Sequence, residues 1–440
     1  MQQKDAVDWY KEGVVLHTSE DYEGAIRCYD RVLEIDPKNA GAWNNKGFAL
    51  GKLGRNAEAI QCYDHALDID PEDAATLNNK GVLLRKLGRY AEAIQCYDRA
   101  LEIDPEDAAT LNNKGVLLRK LGRYDEAIQC FDRALEIDPK DAVRWNNKGI
   151  TLDDLGRNAE AIQCYDRALE IDPKDAVRWN SKGIALDDLG RNAEAIQCFD
   201  RALEIDPKDA GTWNNKGIAL GKLGRNAEAI QCYDRALEID SKDASTWNNK
   251  GIALNNLGRH DEAIQCYDRA LEIDPKDAGT WYNKGVVLRN LGRYAEAIQC
   301  FDRALEIDPG YARAWNIKGI ALMNLDRYDE AVQCYDRALE IDPGYARAWN
   351  IKGIALMNLD RYAEAVQCYD RALEIDPEDA GVWNIKGVVL SNLKRYAEAV
   401  QCFDRALEID PEDTLAKSNR EDALRKKGAV AKDNSKEASG

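Results

Sequence analysis

Histidine and methionine are scarce in this 440-residue sequence, which has three of each, and phenylalanine occurs only five times. The histidines, His17, His65 and His260, lie far apart, and neither a Cys-x-x-Cys pair nor a His-Glu-x-x-His stretch accompanies them. Zinc sites need such groupings, so we expect no metal and no cofactor. A Gly-rich phosphate loop and a Ser, His and Asp set are missing too. The sequence therefore predicts a protein that is not an enzyme.

Long apolar runs and excess basic charge are also missing. No stretch approaches the ~18–20 apolar residues of a membrane span, and residues 1–5 lack a basic segment leading into apolar residues. We therefore expect a cytoplasmic protein without a membrane partner. The chain has 61 Lys and Arg residues against 79 Asp and Glu residues, a net charge of −18. Because nucleic acids attract basic surfaces, this balance disfavours a nucleic-acid partner.

What the sequence has in abundance is repetition with a period of 34 residues. All twelve cysteines follow this period, from Cys28 to Cys402. All ten tryptophans and all eleven prolines keep it as well, each type at its own position in the repeat. A single hydrophobic core stops growing at roughly 250–300 residues. A stacked array of short repeats therefore fits this chain better than one globule.

The repeat itself reads as two helices joined by a turn. We number its positions as slots 1 to 34, with residues 40–73 as the example. The residues at slots 4, 8, 11, 15, 20, 24, 27 and 32 are Trp43, Gly47, Leu50, Gly54, Ala59, Tyr63, Ala66 and Pro71. Slots 4, 8 and 11 share one helix face, and slots 20, 24 and 27 share a face of a second helix. Glycine at slot 15 suits a left-handed helix end, and proline at slot 32 stops the second helix.

This pattern resembles the tetratricopeptide repeat. The resemblance implies an all-α fold, a right-handed superhelical solenoid of helix–turn–helix repeats. We expect a lead at residues 1–5, twelve tandem repeats over 6–413, a capping helix at 414–427 and a disordered tail at 428–440. The small residues at slots 8 and 20 are expected where helix backbones approach closely. In the capping helix we expect Leu415 and Leu424 to face inward.

Slot 15 departs from glycine at both ends of the array. We place the turn of the first repeat at Ser19, and the last three repeats have Asp326, Asp360 and Lys394 there. A left-handed residue other than glycine costs roughly 1 kcal/mol. These four turns are therefore expected to be looser or differently shaped.

Two further residue types recur in every repeat or nearly so. Cysteine at slot 23 reads as a small, half-buried apolar residue, because neighbouring repeats hold these residues roughly 10 Å apart, too far for a disulfide. A row of redox-sensing thiols is the alternative, and free thiols indicate a reducing compartment. Lysine occupies slot 7 from Lys46 to Lys386. We expect its stem to lie along the helix and its amine to remain in water.

A concave groove lined by the first helices is implied by the resemblance, and it would bind other proteins or peptides. The slot-5 asparagines expected in it are Asn44, Asn78, Asn112, Asn146, Asn180, Asn214, Asn248, Asn316, Asn350 and Asn384. Slot 6 adds further asparagines and becomes isoleucine near the end. An amide offers donors and an acceptor, so this row suits the backbone of an extended peptide. The alternative is that asparagine is only a structural habit of the repeat.

Specificity is expected at slots 12 and 13, which vary between repeats. They divide the groove into a basic, an acidic and a neutral zone. The residues of these zones are Arg85, Lys86, Arg119 and Lys120, then Asp153, Asp154, Asp187 and Asp188, then Met323 and Met357. A ligand charged in the opposite order would fit best, and methionines favour adaptable apolar contacts. Duplication of neighbouring repeats could also produce these zones.

The sequence thus predicts a non-enzymatic scaffold, and we expect a monomeric array. Two other functions remain open. An RNA-binding helical repeat, such as the pentatricopeptide type, has a period of 35 and a basic groove, whereas this chain is acidic with a period of 34. A partner-recruiting subunit of a separate enzyme is the other, because too few residues lie outside the repeats for a catalytic domain.

Overall fold

A computed structural model describes residues 5–437 of the chain, with side chains through residue 429. In this part all regular structure is α-helical, in 25 helices without a strand, which confirms the all-α, helix–turn–helix prediction. The chain divides into two compact units, residues 1–223 and 224–440, called unit 1 and unit 2.

Unit 1 holds thirteen helices. They are α1 (Ala6–Thr18), α2 (Tyr22–Ile35), α3 (Ala40–Lys52), α4 (Asn56–Ile69), α5 (Ala74–Lys86), α6 (Tyr90–Ile103), α7 (Ala108–Lys120), α8 (Tyr124–Ile137), α9 (Ala142–Asp154), α10 (Asn158–Ile171), α11 (Ala176–Asp188), α12 (Asn192–Ile205) and α13 (Ala210–Lys222). Odd-numbered helices are the first helices of the repeats and even-numbered helices the second.

Unit 2 continues the same order with twelve helices. They are α14 (Asn226–Ile239), α15 (Ala244–Asn256), α16 (His260–Ile273), α17 (Ala278–Asn290), α18 (Tyr294–Ile307), α19 (Ala312–Met323), α20 (Tyr328–Ile341), α21 (Ala346–Asn358), α22 (Tyr362–Ile375), α23 (Ala380–Asn392), α24 (Tyr396–Ile409) and α25 (Thr414–Glu437). The last of these, α25, follows the twelfth repeat.

Both ends of the first helix are set by single residues. The carboxylate of Asp73, at slot 34, accepts from the backbone N–H groups at the start of α5 and caps it. At the other end of α5, Gly88 at slot 15 has φ of +77°, a left-handed conformation that costs glycine little. In the first repeat this residue is Glu20, with φ of +63°, so Ser19 was wrong by one position.

The last three repeats make the same turn without glycine. Asp326, Asp360 and Lys394 have φ between +53° and +62°. The expectation of a differently shaped turn is therefore wrong. At the two aspartates the side chain helps, because each carboxylate accepts a hydrogen bond of 2.7 Å from the tyrosine hydroxyl two residues later.

The core of each repeat forms where a ring fills the space left by glycine at slot 8. A Cβ atom on Gly47 would lie 2.9 Å from Cε1 of Tyr63 and 3.1 Å from the carbonyl oxygen of Ala59. The close approach expected at these slots is therefore confirmed there. The cysteines lie beside the rings, and eleven are buried, while Cys96 is half-buried. Burial raises the pKa of the Cys164 thiol to about 11, which favours an inert packing role over redox sensing.

Polar bonds join each repeat to the one before it. The amine of Lys182 lies 2.6 Å from the carboxylate of Asp166 on the preceding second helix and 5.5 Å from the centre of the Trp179 ring. The indole N–H donates to the carbonyl of Pro173 at 3.0 Å. The ion pair recurs at every slot-7 lysine from 46 to 386. The amines that were expected in water are each paired with a carboxylate of the preceding second helix, and that carboxylate is itself partly exposed.

Helix α25 is built like the first helix of a thirteenth repeat. Ala416 and Ala423, at slots 3 and 10, are buried against the twelfth repeat. Leu415 and Leu424 are 62% and 40% exposed, so the expectation that they face inward is wrong. Leu424 occupies slot 11, which faces the second helix of the same repeat. No second helix follows α25 in the part of the chain that the structure describes, so nothing covers Leu424 there.

Two more bonds of α25 reproduce the repeat-to-repeat joints. Asn419 donates to Asn384 at 3.0 Å, and Arg420 replaces the slot-7 lysine in an ion pair with Asp404. The helix continues past residue 427 to Glu437, so the disordered tail expected at 428–440 is helical over 428–437. Residues 438–440 lie outside the described part, as do residues 1–4 of the expected lead.

Candidate functional site: the first-helix face

Slots 5, 6, 12 and 13 of successive first helices meet along one surface within each unit. We call this surface the first-helix face. Side chains at slot 6 contact slot 5 of the preceding repeat, and side chains at slot 13 contact slot 12 of the preceding repeat. The face is therefore continuous from repeat to repeat inside a unit.

The asparagines of this face bond to one another. Asn113 at slot 6 donates from Nδ2 to Oδ1 of Asn78 at slot 5, over 3.0 Å. Five more such bonds span 2.9–3.1 Å, from Asn79, Asn147, Asn215, Asn283 and Asn419 to Asn44, Asn112, Asn180, Asn248 and Asn384. In the first repeat Tyr10 takes the place of the slot-5 amide and its hydroxyl accepts from Asn45. These amides therefore hold neighbouring repeats together.

Each bonded pair leaves one donor and one acceptor open. The slot-5 residues Asn78 and Asn112 use only Oδ1, and the slot-6 residues Asn113 and Asn147 use only Nδ2. Their remaining Nδ2 and Oδ1 atoms have no protein partner among the described residues and are not sealed from solvent. Each amide thus uses one of its two polar atoms to hold neighbouring repeats together and leaves the other free to bind a ligand. The sequence did not predict this division.

The row of amide bonds is interrupted where slot 6 is not asparagine. Ser181, Ile351 and Ile385 stand there, and the slot-5 residues before them are Asn146, Asn316 and Asn350. Their Oδ1 atoms are buried without a hydrogen-bond partner. Asn316 retains one long bond of 3.4 Å to the Tyr345 hydroxyl. These three predicted site residues have a buried acceptor that solvent does not reach. Asn214 is half-buried in unit 1.

We expect the substitution Ser181→Asn to stabilise unit 1 by about 1 kcal/mol. Its Nδ2 would donate to the unpartnered Oδ1 of Asn146, as Asn147 donates to Asn112. Urea unfolding followed by circular dichroism measures the gain. The control is the same substitution in an Asn146→Ala background, where the gain should vanish. An equal gain in both backgrounds would show that the new amide acts without Asn146.

The charges at slots 12 and 13 pair across repeats. The amine of Lys222 lies 2.7 Å from Oδ2 of Asp187, and Nε of Arg119 lies 3.7 Å from Oδ2 of Asp154. These two contacts neutralise half of the acidic zone that the sequence predicts. Lys222 was missed, because the sequence does not show which slot of the next repeat faces slot 12.

The other two acidic residues, Asp153 and Asp188, face each other without a cation. Oδ1 of Asp153 is buried and has no hydrogen-bond partner, while Asp188 is exposed. Burial raises the pKa of Asp153 to about 6, with further contributions from Asp188 and Asp154. The ring of Tyr165 is fully buried, and its hydroxyl also lacks a partner. Burial and then the charge of Asp153 raise the pKa of Tyr165.

The basic zone contains the corresponding cationic pair. Arg85 is half-buried, and its guanidinium neighbours the buried hydroxyl of Tyr97, which it partly stabilises in the charged form against the effect of burial on the Tyr97 pKa. By the slot rule, Arg85 lies next to Lys120, whose amine is 5.1 Å from the centre of the Tyr90 ring. Lys86 is exposed. No ion pair of Arg85, Lys86 or Lys120 exists within residues 5–429.

The methionines lie in unit 2 and are only partly free. The sulfur of Met323 accepts a hydrogen bond of 3.2 Å from the Tyr335 hydroxyl, and that of Met357 accepts one of 3.1 Å from Tyr369. Both are half-buried beside the core. These bonds show that slot 12 lies over the slot-24 hydroxyl of its own repeat. The neutral zone is thus an apolar surface rather than a set of free polar groups.

Clefts recur between successive second helices, and the sequence reasoning missed them. One of them has a volume of about 630 Å³ and is lined by Trp281, Lys284, Gln299 and Cys300 among others. Its lysine is already paired with Asp268. Equivalent slots form clefts of about 350–500 Å³ elsewhere. The sequence feature that corresponds to these clefts is the recurrence of tryptophan and cysteine. Packing alone explains that recurrence, so it did not indicate a cleft.

Other kinds of site are not found in the described part. Between residues 5 and 437, no three His, Cys, Asp or Glu side chains are grouped as a metal site would require. In the same range no helix has the length and apolar character needed to cross a membrane.

Family profiles match nearly the whole repeat array. Profiles described as "Tetratricopeptide repeat" match residues 38–174, 146–210 and 282–346, and single repeats at 210–243, 244–277, 346–379 and 380–413. A profile described as "TPR repeat" matches residues 13–54. Among curated protein sequences, none matches this chain.

Several solved structures are similar to this chain. YrrB, a TPR protein with an unusual peptide-binding site, is 26% identical, with 44% of this chain and 99% of that chain covered and a TM-score of 0.40. The APC/C heterotetramer Cut9-Hcn1 is 17% identical, with 96% and 97% covered and a TM-score of 0.44. The C-terminal part of a TPR repeat-containing protein from Cytophaga hutchinsonii is 17% identical, with 54% and 97% covered and a TM-score of 0.48. With profile matches along almost every repeat, the chain belongs to the tetratricopeptide repeat family.

Proposed function

We propose that this protein is a non-enzymatic scaffold that binds an extended peptide, or an extended segment of a protein partner, on its first-helix face. Members of this repeat family are generally non-catalytic scaffolds. The single observation that supports the ligand class is the set of half-engaged amides. Each bonded pair has an open Nδ2 on one residue and an open Oδ1 on the other, as at Asn78 and Asn113.

A peptide backbone matches this arrangement in chemistry. Each peptide unit carries one N–H donor and one C=O acceptor, so an open amide pair can bind both. An extended chain keeps those groups free, whereas a helix uses them internally. Amide contacts of this kind do not depend on the side chains of the ligand, so they supply general affinity. The variable slots 12 and 13 then supply selectivity.

The setting we propose is the cytoplasm, with the protein as a monomer. Twelve free cysteines fit a reducing compartment. Nucleic acid is not the proposed ligand, because the chain carries a net charge of −18 and the basic zone of the first-helix face contains one pair of neighbouring cations, Arg85 and Lys120. A nucleic-acid binding assay with and without substitution of Arg85 and Lys120 tests this exclusion. Binding by the wild type that is lost in the variant would contradict it.

The amide contribution can be tested without disturbing the joints between repeats. The triple variant Asn78→Asp, Asn112→Asp and Asn180→Asp keeps each Oδ1 acceptor for the next repeat and removes each open Nδ2 donor. Peptides selected from a phage library of random 12-residue sequences serve as probes. We expect the variant to bind a selected peptide at least tenfold more weakly, measured by fluorescence anisotropy in 0.5 M salt, which screens the added charge.

The matched control changes the same number of charges on the second helices. Gln95→Glu, Gln129→Glu and Gln197→Glu alter exposed residues of the same three repeats. We expect unchanged affinity for this control. If the control loses binding while the asparagine variant retains it, the ligand binds the clefts near the second helices. If no peptide is selected at all, the proposed function is wrong.

A further inference from the structure

We propose that the first-helix face of unit 1 selects peptides that carry one basic and one acidic side chain, bound at Asp153/Asp188 and at Arg85/Lys120 respectively. This inference rests on the proposed function and specifies its ligand. The sequence alone suggested broad charge zones. The structure reduces those zones to two pairs of like charges that nothing in the described chain neutralises.

The first step is the rule that slot 12 meets slot 13 of the next repeat. Two contacts establish it, between Asp187 and Lys222 and between Arg119 and Asp154. Both join opposite charges, so the charges of both are already compensated, although Oδ1 of Asp187 is buried without a hydrogen-bond partner. Applied to the remaining repeats of the zone, the rule gives two like-charged pairs and no others.

The second step concerns the acidic pair. Asp153 and Asp188 repel each other, and one oxygen of Asp153 is sealed from solvent without a donor. An independent feature points to a ligand at the same place. The hydroxyl of Tyr165, a fully buried side chain, also lacks a partner, and slot 12 lies over slot 24 in this fold. An ammonium or guanidinium group on this surface would donate to the exposed carboxylate of Asp188 and to Oδ2 of Asp153, the oxygen that is not sealed from solvent.

The third step concerns the basic pair. Arg85 and Lys120 have no ion-pair partner among the described residues, and Nε of Arg85 is buried without an acceptor. The tyrosine at slot 24, Tyr97, is fully buried, and its hydroxyl neighbours the guanidinium of Arg85. A carboxylate placed between the two cations would accept from both. The two pairs thus require opposite charges on one ligand.

The last step is the spacing between the pairs. Arg85/Lys120 joins the third and fourth repeats, and Asp153/Asp188 joins the fifth and sixth. With about 10 Å per stacked helix, two repeats separate the pairs by about 20 Å. An extended peptide covers that distance with about six residues at ~3.3 Å each. The open amides of Asn112 and Asn147 lie between the pairs and can hold the backbone.

Selection from a phage library of random 12-residue peptides on the full-length protein tests the proposal. We expect peptides with a Lys or Arg and an Asp or Glu five to seven residues apart. In the Asp153→Asn/Asp188→Asn variant, the enrichment of Lys and Arg should disappear. For a wild-type-selected peptide, affinity at low salt should fall about tenfold in this variant. The variant preserves side-chain shape, so the fold is retained.

The control is Asp154→Asn/Asp187→Asn, which changes the same net charge in the same two helices but leaves the uncompensated pair. We expect it to keep the enrichment of Lys and Arg. Equal loss in both variants would overturn the inference, because overall charge would then explain selection. Neutral selected peptides that lose binding in the asparagine triple variant would also overturn it while leaving the proposed function intact. A selection without binders would overturn both.

Discussion

Replacing Gly183 with alanine is expected to lower the free energy of unfolding by about 2–3 kcal/mol. The added Cβ would lie 2.5 Å from Cε1 of Phe199, with Cδ1 and Cζ of the same ring at 2.8 and 2.9 Å. The ring is almost completely buried, so it has little room to retreat. Helix propensity alone would favour alanine by about 1 kcal/mol, but overpacking that shifts side chains and backbone in a core costs typically about 1–3 kcal/mol and occasionally more. The clash therefore outweighs the gain in helix propensity, and the substitution lowers the free energy of unfolding.

The measurement is urea unfolding of the full chain, with Gly221→Ala as the matched control. Gly221 also lies in a first helix of unit 1, and a Cβ there would meet nothing within 4 Å. The control should stabilise the protein by up to about 1 kcal/mol. A loss of stability in both variants would show that alanine is unfavourable for reasons other than the ring of Phe199.

The features that the sequence predicted well are those that depend on one repeat. Apolar spacing located both helices, and Gly54 and Pro71 marked their ends, because these preferences act over a few neighbouring residues. Glycine at slot 8 faces the ring of the same repeat, as at Gly47 and Tyr63, so spacing alone located that close approach too. Such contacts can be derived from helical geometry without knowledge of how repeats stack.

The features that the sequence missed depend on the offset between stacked repeats. The pairing of Lys182 with Asp166 requires that slot 7 face slot 25 of the preceding repeat. The periodicity of the sequence assigns each residue to a slot, but it does not show which slots of neighbouring repeats face each other. The same unknown offset concealed the bond between Asn113 and Asn78. It also concealed the division of the charged zones into compensated and uncompensated pairs.

The cap illustrates the same limit. Large apolar residues drew attention to Leu415 and Leu424, whereas the buried positions are small, Ala416 and Ala423. Continuing the slot numbering past Asp413 would have identified the alanines, because slots 3 and 10 face the preceding repeat throughout the array. The position of a residue in the repeat therefore predicts its burial better than the size of its side chain does.

Ending the chain after Asp413 is expected to destabilise the twelfth repeat and leave unit 1 unchanged. Truncation uncovers the apolar surface buried by Ala416 and Ala423, and it removes the bond of Asn419 to Asn384 and the pair of Arg420 with Asp404. Together these contacts contribute on the order of 3 kcal/mol. In a repeat array each repeat is stabilised chiefly by its neighbours, so the loss stays local.

Hydrogen exchange read by mass spectrometry distinguishes local from global loss. Amides of α23 and α24 should exchange about a hundredfold faster after truncation, and amides of α3 to α11 should be unaffected. The control ends the chain after Gly428, which keeps every α25 residue whose burial or bonding to the twelfth repeat the structure describes, and it should exchange like the full chain. Faster exchange throughout unit 1 would mean that stability in this array is shared over far more than neighbouring repeats.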